Sequence, residues 1–150
     1  MSELQQQIRK DLTAAMKARE KEKVSVLRML QSAITYEERE GALHELSDAD
    51  VQKVIAREIK KRRESATIYA EAGRAELAAA ETAEADVLAQ YLPQQLDDVA
   101  LATLVDQVVA EVGATGMQDM GKVMKAAATA AAGQVDGKRL SEAVKARLQA

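Results

Sequence analysis

The stretch "GMQDMGKV", residues 116–123, decides between two folds. As bare spacing, Gly116, Gly121 and Lys122 have the G-x-x-x-x-G-K skeleton of a loop that cradles phosphates between a buried strand and a helix. Taken that way, the chain would be an α/β nucleotide-using protein. The flanks argue otherwise. In "LATLVDQVVAEV" (101–112), Leu101, Leu104, Val105, Val108 and Val112 recur at helical rather than strand spacing. Val123 stands where the loop needs a Ser or Thr to hold magnesium. A helical reading accommodates every residue: Met117, Met120, Met124, Ala127 and Ala131 form an inward stripe, and Gly121 beside it lets another helix approach closely. Lys122, Lys125 and Thr129 then share the outer face. No nucleotide or other cofactor is expected.

Working outward, the whole chain carries the same helical signature. Its 150 residues are 47% hydrophobic, with no Phe or Trp, three Tyr and one Pro. Aliphatic and alanine-rich chains of this kind favour long helices. Leu4, Ile8, Leu12 and Met16 predict a first helix over about 3–19. Val24, Leu27, Leu30 and Ile34 predict a second over about 22–39, closed by Gly41. Ser47, with Asp50 three residues on, starts a third through Val51, Val54, Ile55, Ile59, Ala66 and Tyr69 toward Gly73. A fourth follows over about 74–91.

Pro93 disfavours helix in Leu92 and marks a boundary. Asp97 or Asp98 caps a fifth helix that Gly113 ends, a sixth begins near Met117 and breaks at Gly133, and Asp136 caps a seventh carrying Leu140, Val144 and Leu148. The expected fold is all-α: an N-terminal four-helix subdomain over 1–92, a linker over 93–96 and a small C-terminal three-helix subdomain over 97–150.

Charge is unevenly spread. Residues 1–63 carry 14 Lys/Arg and 11 Asp/Glu, residues 64–119 carry 1 and 11, and residues 120–150 carry 6 and 2. An acidic whole disfavours indiscriminate binding of nucleic acid, yet the two basic ends could present positive patches to a polyanion. Lys138 and Arg139 fall in the first turn of the seventh helix, where cations oppose the helix dipole unless an anion sits nearby. The alternative is that both side chains bend away into water.

The inventory for catalysis is poor. There is no cysteine, and the single histidine, His44, sits in a connection between helices and reads as a surface residue. Glu64, Glu71, Glu81 and Glu84 lack the Glu-x-x-His pattern of a di-metal bundle, so an acidic outer face and no metal are expected. No run approaches the ~18 apolar residues of a membrane span, and the N-terminus is too polar for a signal peptide. A cytoplasmic protein without a membrane partner is expected.

Four segments together resemble one family: "VLRMLQSAI" (26–34), the run from Arg57 to Leu96 that opens "REIKKRRESATIYAEAGRAEL", "DMGKVMK" (119–125) and "GQVDGKRL" (133–140). In this order, and over essentially the full length, they are similar to the GatB/YqeY family, in its stand-alone YqeY-like form. The resemblance implies two helical subdomains and a relation to the C-terminal tail of the B subunit of the tRNA-dependent amidotransferase. That tail helps to hold tRNA, while the chemistry occurs in a separate region for which this chain has no room. The family label, carbon–nitrogen ligase with glutamine as amido-N-donor, therefore implies no independent activity here.

The resemblance implies an accessory module that binds tRNA by shape and phosphate contacts, since three scattered tyrosines make no stacking platform. The candidate phosphate contacts are Lys122, Lys125, Lys138 and Arg139, with Arg57, Lys60 and Lys61 of "REIKKRRE" as a second cluster. Glu58–Arg62 and Lys60–Glu64 in that cluster are also ready-made helical ion pairs. The alternative is a helical interaction module that docks on an amidotransferase, a synthetase or another protein.

Overall fold

A computed structural model describes all 150 residues. It holds seven α-helices and no strand: α1 (Glu3–Lys17), α2 (Lys21–Arg39), α3 (Asp48–Glu71), α4 (Ala75–Ala89), α5 (Asp98–Val112), α6 (Met120–Ala131) and α7 (Gly137–Gln149). A single 3-10 turn, Met117–Asp119, leads into α6. Thus α5, not a strand, precedes Gly116. No single helix is long and apolar enough to cross a membrane. The chain resolves into two compact units, Met1–Leu92 and Pro93–Ala150.

In the first unit two capping boxes form, the expected one at Ser47 and another at Ser2, as side chains satisfy helix-end amides that the helix itself leaves without partners. Ser2 Oγ accepts from the Gln5 N–H, while Gln5 Oε1 accepts from the Ser2 N–H, each at 3.2 Å. Ser47 and Asp50 make the same exchange at the start of α3, each bond 3.1 Å. The Ser47 backbone N–H, and after it the hydroxyl, holds the Asp50 carboxyl below its usual pKa. Asp48 accepts from the Leu4 N–H at 3.0 Å, which ties the first turns of α1 and α3 together.

Helix α1 stops two residues short of the expected end because Arg19 takes a left-handed φ of 57°, a conformation in which an L side chain crowds its own backbone. The core gathers Ile8, Leu27, Leu30, Val51, Ile55 and Leu88, all at most 1% exposed. Leu46, in the connection that spacing assigned to no helix, is buried with them.

The apolar stripe of α3 runs 51, 55, 59 and then 62, and the residue at 62 is an arginine, 5% exposed. Burying a guanidinium is tolerable only with its donors satisfied. Its Nε donates to Glu84 Oε2 at 3.2 Å, and Nη1 donates to the Glu58 carbonyl at 3.1 Å and to Glu58 Oε1 at 3.4 Å. Glu84 was expected to face solvent, but it is half-buried as this partner. The α3–α4 hairpin then continues to Gly73 with no buried residue between Arg62 and Ala85.

At the end of the first unit Tyr91, half-buried, donates its hydroxyl to Asp11 Oδ2 at 2.6 Å. Burial, and then the neighbouring carboxylate, pushes the phenol pKa well above its ordinary value.

The second unit is built on Val105, Val108, Val123, Ala127, Leu140 and Val144. Asp97 caps α5 by accepting from the Ala100 N–H at 2.7 Å, Gly113 closes it at φ 67°, and Asp136 caps α7 by accepting from the Arg139 N–H at 2.8 Å. The inward stripe of α6 differs from expectation at both ends of "GMQDMGKV". Val123 is fully buried at its centre, whereas Met117 is 41% exposed in the 3-10 turn. Met120 and Met124 do pack on the core. Gly121 makes no close approach: a Cβ there would meet nothing within 4 Å.

Two outcomes follow from this packing. Arg62→Ala leaves Glu84 without its cation and Glu58 with Lys61 alone, and is expected to destabilise the chain by roughly 2–4 kcal/mol in urea unfolding. A loss under about 0.5 kcal/mol, the range of a surface site, would show the network to be idle. For Tyr91 the folded-state pKa is raised, so its stabilisation is complete below about pH 10, the unfolded value, and drains as pH rises beyond that. Wild-type stability should therefore fall more steeply above about pH 10 than that of Tyr91→Phe. Parallel curves for the two proteins would contradict the bond.

Candidate nucleic-acid interface

The candidate cations of the second unit divide by what surrounds them. In α6 the buried positions Val123, Ala127 and Ala131 fix one face, and Lys122 and Lys125 stand exposed on the other. Neither forms an ion pair. Thr129, on the same side, turns its hydroxyl back to the Lys125 carbonyl at 3.1 Å and offers no outward donor. At the start of α7 Lys138 is exposed and unpaired as well.

Arg139 neither bends into water nor waits for an anion. Its Nη1 donates to the Leu96 carbonyl and its Nη2 to Asp98 Oδ1, each at 2.8 Å. Together with the Leu96 N–H donating to the Gln134 carbonyl at 2.8 Å, this guanidinium pins residues 96–98 onto the head of α7. Arg139 thus has a packing task that sequence spacing did not reveal, because its partners lie some 40 positions away.

Spacing also passed over Lys145. It is exposed and unpaired, seven residues after Lys138, and so lies close to the same face of α7 with Glu142 between them. The i, i+7 recurrence was the available signal.

In the first unit the "REIKKRRE" cluster is largely neutralised by its own surroundings. Arg57 Nη2 meets Glu37 Oε2 at 2.8 Å, Lys61 meets Glu58 at 3.1 Å, Arg62 is buried as described, and Arg63 meets Asp86 at 3.5 Å. Of the three candidates there, only Lys60 has no ion-pair partner, and its expected pairing with Glu64 is not formed. The Glu58–Arg62 pair does form.

His44 is exposed, with Nδ1 2.9 Å from the Ala42 carbonyl oxygen. No group of three His, Cys, Asp or Glu side chains is arranged to hold a metal ion. A cleft between α1 and α2 is lined by Gln5, Arg9, Gln31, Thr35 and Glu38, among apolar neighbours.

The contrast among the cations is testable by stability. Arg139→Gln should destabilise the chain by about 1 kcal/mol, modest because Asp98 is solvent-exposed, whereas Lys122→Gln should change it by less than about 0.5 kcal/mol. Equal effects in thermal unfolding would mean that Arg139 holds nothing.

Comparison with known proteins places this geometry in context. An uncharacterized protein of Schizosaccharomyces pombe is 33% identical over 96 residues, covering 64% of this chain and 77% of that protein. The family model described as Yqey-like protein matches residues 5–148, which takes in every helix of both units except the first two residues of α1 and the last of α7. The chain belongs to the YqeY-like protein family.

Proposed function

We propose that the chain is a tRNA-binding accessory module of the cytoplasm, without chemistry of its own, that contacts phosphates through the second unit. In this reading residues 1–92 and 97–150 are two subdomains joined at 93–96, and the chain as a whole corresponds to the tRNA-holding tail region of the amidotransferase B subunit that the sequence resembles. The observation that carries the proposal is the unpaired state of Lys122, Lys125 and Lys138 beside an Arg139 that is already engaged. Three exposed ammonium groups on helix faces turned from the core suit phosphate oxygens, which need point charges rather than base-edge geometry. The absence of Phe and Trp, with no tyrosine beyond residue 91, fits contact with the backbone of a folded RNA rather than stacking on single strands. Lys60 adds one further free cation from the first unit, while Arg57 and Lys61 would have to give up their carboxylates to join.

A second reading, docking on an amidotransferase, a synthetase or another protein, is favoured by one observation. The outer part of the α3–α4 hairpin buries nothing and leaves Ile68 64% exposed.

Binding of the purified chain to tRNA separates the two readings. The affinity should be weak at physiological salt, and these three phosphate contacts should contribute about −2 to −3 to the log–log salt slope. Changing Lys122, Lys125 and Lys138 to Glu should abolish binding without altering helicity. If affinity is unmoved by the triple change, the phosphate reading is wrong. Loss of partner capture in Ile68→Asp, with tRNA binding intact, would favour docking.

A further inference from the structure

We propose that the outward face of α1 and the turn after it form a second phosphate-binding surface, gripping the backbone of a folded RNA through Arg9, Lys10, Lys17, Arg19 and Lys21. The inference rests on the reading of the chain as a tRNA-binding protein.

The pairing pattern of the whole molecule points there. Seven of the 21 Lys and Arg residues lie between Arg9 and Arg28. None of those seven is in an ion pair, whereas half of the other 14 are, namely Arg57, Lys61, Arg62, Arg63, Arg74, Arg139 and Arg147. The same stretch holds only three acids, and Asp11 among them is held by the Tyr91 hydroxyl and by Gln7 Nε2 at 2.9 Å.

Helical geometry collects the cations. The buried positions of α1 are Gln5, Ile8, Leu12 and Ala15, which turns Lys10, Thr13 and Lys17 outward with Arg9 at their edge. Asp11 falls on the flank, and Glu3, seven residues before Lys10 at the start of the helix, is the one acid on this face. Arg9, Lys10, Thr13, Ala14 and Lys17 line one shallow depression, and Ala14 is its only apolar member. Met16, 47% exposed, is the one large apolar side chain beside the cations; a bilayer would require several to insert there, whereas a sugar–phosphate backbone requires only the charge.

Helix stability does not explain the set. Lys17 complements the dipole at the end of α1, but Lys21 opposes it at the start of α2, and Arg9 and Lys10 lie mid-helix. Arg19 occupies the position after the α1 cap at φ 57°, where glycine would relieve strain, so the turn keeps a long cation at a conformational cost.

The test uses the full chain, bulk tRNA and, in parallel, vesicles containing phosphatidylserine. Three variants are compared: Arg9→Gln/Lys10→Gln/Lys17→Gln on the face, Arg19→Gly/Lys21→Gln in the turn, and Lys122→Gln/Lys125→Gln/Lys138→Gln in the second unit. The face variant should bind tRNA about tenfold or more weakly at roughly 50 mM salt, with a slope shallower by about two to three and an undiminished Tm. The turn variant should lose affinity while its Tm rises, since it removes a strained residue; loss of affinity with a lower Tm counts against the proposal. If the face variant keeps wild-type affinity and slope while the second-unit variant loses binding, this inference falls and the function proposed above stands. If the wild-type chain does not bind tRNA even at low salt, both fall. Vesicle binding that depends on the α1 cations, with tRNA binding unaffected, overturns the inference in favour of a membrane surface.

Discussion

The buried guanidinium of Arg62 is the constraint around which the first unit is arranged. It is the one charged side chain among the buried residues, and it reaches three helices: Glu58 on its own, Glu84 on α4 and the Met29 sulfur on α2 at 3.7 Å. An apolar residue at this place in the stripe would pack in more than one register. A guanidinium short of water has far fewer solutions, because each donor must find its acceptor. The α3–α4 hairpin is thereby fixed at its base, which lets its outer part run on with alanine-rich faces that bury little.

That arrangement also explains why charge on this molecule cannot be judged from sequence density. The densest cationic run, "REIKKRRE", is the most thoroughly paired, since α2 and α4 bring Glu37, Glu84 and Asp86 to it. The sparser cations of α1 and α6 form no ion pair. An ion pair at an exposed surface adds little stability, but it removes a charge from the field that a polyanion would feel.

Much of the fold was legible from local signals. Ser47, Asp97 and Asp136 cap the helices that the apolar spacing laid out, Gly113 ends α5 and the helical period of 101–112 excluded a strand before Gly116. These are short-range facts, settled within four or five residues. What remained hidden was long-range. Leu46 could not be placed because a single apolar residue in a connection has no period, and Arg19 bends the chain left-handed where no glycine announces it. The same limit applies to the candidate site. The spacing put Lys122 and Lys125 on the exposed face of α6, but only the packed structure gives Arg139 its partners at Leu96 and Asp98.

The Tyr91–Asp11 bond has an optical consequence. All three tyrosines, Tyr36, Tyr69 and Tyr91, lie in the first unit, and the chain has no tryptophan or phenylalanine. Tyr36 is 70% exposed, whereas Tyr91 sits against the core with its hydroxyl on a carboxylate. Near-ultraviolet absorbance, circular dichroism and tyrosine emission therefore watch the first unit alone, with Tyr91 as the chromophore in a fixed asymmetric setting. The second unit is spectroscopically dark, so its melting leaves a trace only in the peptide bands of its helices.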